Sequence, residues 1–315
     1  MSFLAAQNIP DVPLVYWLGF GVLIAFLLFL DLAVFHRKAH RVRTKEAALM
    51  TGFWVSLALG FNAWIWARFG GQKGLEFLTG YLLEEALSVD NLFVFIVIFR
   101  HFAVRPEYQH RILFWGILGA VFFRLTFILA GNQLIERFHF MIYVFGLFLV
   151  FTAFKLLLHK DAEVDPERGW ALRLFRRWFP VTNEFEGPHF ILKRDGRRFA
   201  TPLLLVLVVI ETTDIVFAVD SVPAILAITR DSFIVFTSNI FAILGLRSVY
   251  FLLAGMMDAF RFLKVGLSLI LAFVGVKMLL TDVFKMHIAV ALGVVAGIIA
   301  VSVAASLLVP KRPEK

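Results

Sequence analysis

Long runs of apolar residues alternate with short polar segments along the whole chain. Each run is close to the ~20 residues that an α-helix needs to cross the hydrocarbon core of a bilayer. We therefore predict an all-α membrane protein with about nine transmembrane helices, numbered here as spans 1 to 9. The spans cover residues 13–35, 48–67, 75–99, 110–132, 139–158, 201–223, 232–257, 264–281 and 286–309.

The composition agrees with this class. Of the 315 residues, 60% are hydrophobic and 17% are charged, whereas soluble domains carry about 25% charged residues. The simplest organisation is one membrane domain over residues 1–315. The chain has no cysteine, which excludes disulfides, thiolate metal sites and cysteine nucleophiles.

The positions of the basic residues predict the orientation of the chain in the membrane. If the first terminus lies outside, 22 of the 31 Lys and Arg residues fall in segments on the inner side. Cytoplasmic loops of membrane proteins carry this excess of positive charge. We therefore predict an N-outside, C-inside topology, and we do not read the net charge of +8 as a sign of nucleic-acid binding.

Short motifs recur in the same order in two parts of the chain. VDN at 89–91 corresponds to VDS at 219–221, and ILG at 117–119 recurs at 243–245. LAG at 129–131 likewise recurs at 253–255. Spans 3–5 therefore match spans 6–8. Because three helices separate each span from its counterpart, the two copies are inverted in the membrane, as in many secondary transporters whose substrate site lies at the repeat interface.

Carboxylates lie inside two of the apolar spans. The stretches are EEALSVDN at 84–91 and ETTDIVFAVDS at 211–221. An ionisable side chain at this depth costs roughly 2.5 to 3.5 kcal/mol on insertion scales, and such residues usually mark ion or substrate pathways. Since the two stretches occupy corresponding positions in the repeat, we expect them to meet near the membrane midplane.

Helical geometry decides which of these groups can act together. With 3.6 residues per turn, Glu84 and Asn91 share one face of span 3, as Asp214 and Ser221 do in span 6. Asp90 and Asp220 lie about 120° away from those faces. A straight helix would not aim all of the acids at one ion. We therefore expect a bend, and Pro223 is the residue to cause it because proline breaks or kinks a helix.

The donor atoms of these side chains indicate the kind of ligand. Carboxylate, amide and hydroxyl oxygens suit Mg²⁺, Ca²⁺ and Mn²⁺, whereas thiolates and imidazoles favour other metals. No histidine falls near the middle of a span. We predict a metal site formed by Glu84, Asp90, Asn91, Asp214, Asp220 and Ser221. Such a cluster can instead relay protons or hold a cationic organic substrate.

The two acidic stretches, with SNIFAILGLRSVYFLLAG at 238–255, resemble the signature segments of the TerC family, in particular its Alx-type members. The resemblance extends over roughly 14–309. It implies a multi-pass protein of the bacterial inner membrane, within a larger LysE-like transporter group, associated with manganese export and by name with tellurium resistance. The matching positions are Glu84, Glu85, Asp90, Asn91, Glu211, Asp214, Asp220 and Ser221.

Other polar residues have more than one interpretation. As an alternative to the metal site, Asp90 and Asp220 can form salt bridges with Arg124 and Arg247 that hold the bundle, and such an arginine can also gate the site. Asn239 is a further ligand candidate or an interhelical hydrogen-bond partner. Glu85 and Glu211 would support the site from nearby. Lys155 and Lys277 are expected to extend to the lipid headgroups and are left out of the site.

The longest polar insertion, 159–199, has two parts. Its first half predicts an amphipathic helix with Arg173, Arg176 and Arg177 on one face, suited to an anionic inner leaflet. Its second half has Asp195-Gly196 between apolar-rich arms, which predicts a short β-hairpin. We expect the insertion to be cytoplasmic.

Together these features predict an exporter that carries Mn²⁺ out of the cytoplasm through an acidic midplane site, with proton coupling as a hypothesis. An ion channel and an exporter of amino acids or of another metal are the alternatives. We expect no enzyme activity, because the chain has no GxSxG, HExxH or phosphate-loop motif. The oligomeric state is left open.

Overall fold

The computed structural model describes residues 12–30, 44–158, 170–182, 187, 189–194, 197–254 and 262–308. In these ranges the chain forms ten α-helices and one two-stranded hairpin. The elements are α1 (Leu14–Leu30), α2 (Thr44–Phe69), α3 (Gly71–His101), α4 (Pro106–Arg137), α5 (Met141–Leu158), α6 (Trp170–Trp178), β1 (Ile191–Arg194), β2 (Arg197–Ala200), α7 (Pro202–Leu226), α8 (Ser232–Ala254), α9 (Leu263–Leu279) and α10 (Ile288–Leu308).

Six of the described helices, α2, α4, α5, α7, α8 and α10, are long and apolar enough to cross a membrane. The prediction of an all-α membrane protein is therefore confirmed. Each of the nine predicted spans overlaps one long helix, but α1 and α9 have only 17 residues each. α3 is long enough at 31 residues but carries several acidic and basic side chains. The count of nine membrane crossings stays a prediction. The ends of spans 1, 7 and 9, at residues 31–35, 255–257 and 309, lie outside the described residues.

Helix α8 lies at the centre of the bundle. Almost every residue of α8 is buried, from Phe233 to Leu253, as expected for a helix that is apolar on all sides. α1, α5 and α10 instead expose large apolar side chains, such as Leu14, Phe151 and Leu308. Such surfaces suit contact with lipid tails, since a soluble monomer rarely exposes large contiguous apolar patches.

Three helix pairs have the most extensive contacts among the described elements. α3 packs against α8, α4 packs against α7, and α5 packs against α9. At the crossing of α5 and α9 the two backbones come very close. A Cβ atom on Gly275 would lie only 2.8 Å from the carbonyl oxygen of Gly146. Small residues permit this kind of close approach between membrane helices.

The segment before α7 packs on the helical bundle. β1 and β2 are antiparallel, with Ile191 opposite Ala200. Phe190 contacts the ring of Trp115 and lies under the guanidinium group of Arg111, both on α4. Thr201 donates a hydrogen bond to the carbonyl of His189 at 2.7 Å. The turn at 195–196 lies outside the described residues, and the side of the membrane on which this segment lies stays a prediction.

Candidate functional site

Four buried polar residues meet where α3, α4, α7 and α8 come together, and we name this group the arginine cluster: Glu84, Arg124, Asp214 and Asn239. Arg124 donates hydrogen bonds to the carboxylate of Glu84, to Oδ1 of Asn239 at 3.0 Å and to Oδ1 of Asp214 at 3.3 Å. Each of the four residues is at least 96% buried. One arginine therefore joins a carboxylate from each half of the predicted repeat.

Several atoms of the arginine cluster have no hydrogen-bond partner among the described residues. They are Oε2 of Glu84, Oδ2 of Asp214 and Nε of Arg124. The other oxygen of Glu84 also accepts a hydrogen bond from Ser88 at 3.0 Å. Buried polar atoms are rarely left without a partner, so the two carboxylate oxygens have capacity for a water molecule or a cation.

Asp90 and Asp220 line a separate cavity of about 340 Å³, which we name the aspartate cavity. α3, α5, α7 and α9 surround it, and Asn91 and Ser221 also line it. Thr152 of α5 donates a hydrogen bond to Oδ1 of Asp220 at 3.1 Å. The hydroxyl oxygen of Ser221 is buried and has no partner among the described residues.

The structure thus divides the six predicted ligands into two groups. Glu84 and Asp214 belong to the arginine cluster, while Asp90, Asn91, Asp220 and Ser221 belong to the aspartate cavity. No group of three or more acidic or histidine side chains suited to a metal ion is found in the described ranges. A metal ion in the aspartate cavity would therefore have two carboxylates and would complete its coordination with amide, hydroxyl or water oxygens.

Neither α3 nor α7 is broken at its acidic residues, so the expected bend stays a prediction, and the helical arithmetic explains why two sites result. α3 and α7 are each continuous past their acidic residues, and Pro223 lies within α7. Because proline has no N–H, the carbonyl of Val219 lacks its usual partner there, yet the helix continues to Leu226. Asp90 and Asp220 accordingly face away from Glu84 and Asp214, and the two pairs do not converge on one point.

The expected arginine pairing also differs from the structure. The sequence-based alternative pairs the arginines with Asp90 and Asp220. In the structure Arg124 pairs with Glu84 and Asp214. The physical reason is that Arg124 of α4 faces the sides of α3 and α7 that carry Glu84 and Asp214. Arg247 is buried on α8 and lines a small void together with Asp214.

Glu85 and Glu211 lie close to the two glycines of the repeated ILG motif. The carboxylate of Glu211 lies directly against Gly119 of α4, in the space that a Cβ atom would occupy. The carboxylate of Glu85 lies 3.7 Å from the corresponding point at Gly245 of α8, and Glu85 also accepts a hydrogen bond from Tyr81. Both glutamates therefore pack between helices, outside the arginine cluster and the aspartate cavity.

Three polar residues of the aspartate cavity were not among the predicted site residues: Thr152, Lys155 and Lys264. Lys155 lines the cavity and interacts electrostatically with Asp220, and because it is exposed its extension to the headgroups stays a prediction. The same expectation for Lys277 is wrong, because its Nζ donates a hydrogen bond to the carbonyl of Ala227 at 2.7 Å. The one available signal was that Thr152 and Lys155 are three residues apart and so share a helix face.

A second buried polar network joins the start of α3 to the start of α8. Lys73 forms salt bridges with Glu76 at 3.1 Å and with Asp231 at 3.0 Å. Thr229 donates a hydrogen bond to Glu76 at 2.6 Å, and Asp231 accepts from the backbone N–H of Phe233. At 1.5 Å per residue, Lys73 lies about 25 Å along α3 from Asp90. The network therefore ties the bundle together at a distance from the aspartate cavity.

Known proteins resemble the chain along almost its full length. The model of the integral membrane protein TerC family matches residues 69–314. "Uncharacterized membrane protein STKORF319" of Myxococcus xanthus is 54% identical, over 93% of this chain and 92% of that protein. "Putative membrane-bound redox modulator Alx" of Salmonella typhi is 44% identical over 98% of both chains. The Escherichia coli (strain K12) protein of the same name is 43% identical, over 98% of this chain and 99% of its own. No solved structure matches the chain.

Proposed function

The chain belongs to the TerC family of integral membrane proteins, and on that premise we propose that it exports divalent manganese from the bacterial cytoplasm across the inner membrane. The observation that carries this proposal is the aspartate cavity. Asp90 of α3 and Asp220 of α7, which are counterparts in the predicted repeat, line one space between the two halves. Carboxylates inside a membrane bundle are typical of ion pathways.

The donor set of the cavity suits a hard divalent cation. Asp90 and Asp220 supply anionic oxygens, Asn91 an amide oxygen and Ser221 a hydroxyl oxygen without a partner among the described residues. Mn²⁺, Mg²⁺ and Ca²⁺ all prefer such oxygen ligands. We propose that Mn²⁺ is the ion carried, and that Asp90, Asn91, Asp220 and Ser221 bind it first.

The arginine cluster provides a second stage in this proposal. Glu84 and Asp214 each hold Arg124 with one oxygen, and the other oxygen has no partner among the described residues. When the cation leaves the aspartate cavity, these two oxygens can take it if Arg124 moves aside. Arg124 would then replace the cation after its release, so that buried carboxylates are never left without a positive charge.

The packing of the helices supports alternating access in an inverted repeat. In the predicted repeat, α3, α4 and α5 correspond to α7, α8 and α9. The counterpart of the α3–α8 pair is therefore the α7–α4 pair, and the α5–α9 pair is its own counterpart. All three pairs are present. With the predicted orientation, the network of Lys73, Glu76 and Asp231 lies at the outer end. We propose that it holds the outer side closed while the aspartate cavity receives the ion from the cytoplasm.

Proton coupling and the name of the relatives fit within this proposal. A carboxylate binds either a proton or a metal ion, so entry of protons would promote release of the cation outside. The Alx relatives carry the name of a redox modulator. Because this chain has no cysteine, we propose that any such role is exerted through the amount of a redox-active metal ion and not through thiol exchange.

The test is manganese flux in proteoliposomes that contain the purified full chain. For Asp90→Asn combined with Asp220→Asn, we expect the flux to fall at least about tenfold, which corresponds to about 1.4 kcal/mol of lost interaction. Glu107→Gln, an exposed acid at the start of α4, is the matched control and should transport normally. Flux in the double variant equal to that of the unaltered protein would disprove the proposal, provided both proteins melt at the same temperature.

A further inference from the structure

The aspartate cavity contains as many basic as acidic side chains. Lys155 near the end of α5 and Lys264 at the start of α9 line the same space as Asp90 and Asp220. Lys155 is close enough to Asp220 to interact with it electrostatically. The formal charge of the four side chains is therefore zero, unlike that of a site made for a bare cation alone.

The size and the walls of the cavity also exceed what one metal ion requires. Its volume of about 340 Å³ falls in the ~300–1,000 Å³ range of pockets that bind small organic molecules. Leu87, Phe217 and Leu271 form part of the wall. A few polar groups among apolar ones are typical of sites for organic ligands. Ser221 adds a buried hydroxyl group without a partner among the described residues.

A bare divalent cation would bring two positive charges into this balanced space, next to two lysines. Positive charges that lie close together repel each other, and they do so more strongly in a partly buried cavity than in bulk water. A negatively charged companion reduces that repulsion, because one oxygen of a carboxylate binds the metal ion while its other oxygen accepts hydrogen bonds from the lysines. Hydrogen bonds between a lysine and a carboxylate are among the stronger ones in proteins.

We propose that the aspartate cavity binds the divalent cation together with a small organic carboxylate, with Asp90 and Asp220 on the metal ion and Lys155 and Lys264 on the carboxylate. The hydroxyl of Ser221 donates to either the carboxylate or a metal-bound water. This inference rests on the proposed function and adds a second ligand to the same site. It implies that the anion sets the affinity for the metal ion.

The experiment measures manganese binding to the purified full chain by equilibrium dialysis with radioactive Mn²⁺. Acetate is compared with methanesulfonate, an anion of equal charge and similar size that coordinates metals weakly, at equal ionic strength and equal free manganese. We expect the dissociation constant for manganese to be at least about fivefold lower in acetate, a difference of close to 1 kcal/mol. In Lys155→Met combined with Lys264→Met, we expect the two anions to give the same dissociation constant.

Two further variants serve as controls. Lys155→Arg combined with Lys264→Arg keeps both positive charges and should keep the preference for acetate. Lys193→Met removes an exposed lysine of β1 and should leave the preference unchanged. Equal manganese affinity in both anions, with binding intact, overturns the carboxylate inference alone. A preference for acetate that survives in the double methionine variant overturns the role of the lysines, and absence of manganese binding in either anion overturns the proposed function together with the inference.

Discussion

The arginine cluster and the aspartate cavity are built from the same parts but differ in what fills them. Each combines one acid from α3 with one from α7, and in both helices the two acids are six residues apart. In the arginine cluster, the guanidinium group of Arg124 occupies the space between the acids. In the aspartate cavity, the corresponding space of about 340 Å³ is open to a ligand. The comparison shows that the third helix decides the role of a carboxylate pair.

The third helix is α4 in one case and α5 in the other. α4 carries a long cationic side chain, Arg124, into the bundle at the level of Glu84 and Asp214. α5 instead places two side chains at the cavity, Thr152 in a hydrogen bond with Asp220 and Lys155 on the wall, and about 340 Å³ stays open between the helices. We therefore expect loss of a partner to affect stability in the arginine cluster and ligand binding in the aspartate cavity.

The largest effect is expected for Arg124→Met, which leaves Glu84 and Asp214 buried without their cation. Removal of one partner of a buried ion pair costs about 3–5 kcal/mol in the free energy of unfolding. The measurement is thermal unfolding in detergent. Arg137→Met, at the exposed end of α4, is the control and should melt normally. Adding Glu84→Gln and Asp214→Asn to Arg124→Met should restore part of the loss, and an unchanged melting temperature in Arg124→Met would refute the structural role of the cluster.

A smaller effect is expected where α5 and α9 form a wall of the aspartate cavity. In Gly275→Ala the new methyl group would lie 2.8 Å from the Gly146 carbonyl oxygen and 3.0 Å from the Val150 nitrogen, so the helices must separate. Overpacking of this kind costs about 1–3 kcal/mol. We expect weaker manganese binding as well, because the separated helices carry Thr152 and Lys264.

The matched control is Gly293→Ala on α10, where no atom of the described residues beyond its own helix backbone and chain neighbours lies within 4 Å of the new methyl group. That variant should be neutral or slightly stabilised, since alanine favours a helix by about 1 kcal/mol over glycine. Manganese binding by equilibrium dialysis and the melting temperature distinguish the two variants. If Gly275→Ala behaved like Gly293→Ala in both measurements, the close contact of α5 and α9 would not define the cavity.

The smallest effect is expected for Thr152→Val, which keeps the shape of the side chain and removes its hydrogen bond to Asp220. A hydrogen bond to a charged group contributes about 1.5–3 kcal/mol at most, and water in the open cavity can replace part of it. We expect a change of several-fold in manganese affinity with little change in melting temperature. Thr126→Val, whose hydroxyl bonds only to its own helix among the described residues, should change neither. A loss of stability as large as that of Arg124→Met would mean that the two regions do not differ as described.

Much of the fold followed from local patterns in the chain. The apolar windows located all of the long helices, and the turn signal at Asp195-Gly196 fell between the two strands. The helical arithmetic also separated Asp90 and Asp220 from Glu84 and Asp214, because the rotation per residue depends only on local backbone geometry. A bend was expected because a straight helix cannot direct all of the acids to one metal ion. α3 and α7 are continuous, and their acids lie in two separate sites.

The partners of the acids depended on distant parts of the chain. Arg124 is 40 residues from Glu84 and 90 from Asp214. Thr152 is 68 residues from Asp220. Which of two arginines meets which acid depends on the rotation and the axial position of one helix against another. Those quantities arise from the packing of many side chains at once.

By itself, the sequence determined the class of the protein, the positions of its helices and the presence of paired carboxylates inside apolar segments. These properties depend on hydropathy and on helical periodicity, which act over neighbouring residues. Only the tertiary structure decided that one pair is closed by Arg124 and that the other lines an open cavity with Lys155 and Lys264. The reason is that a buried charge takes the partner that packing brings within hydrogen-bonding distance, and packing is a property of the whole bundle.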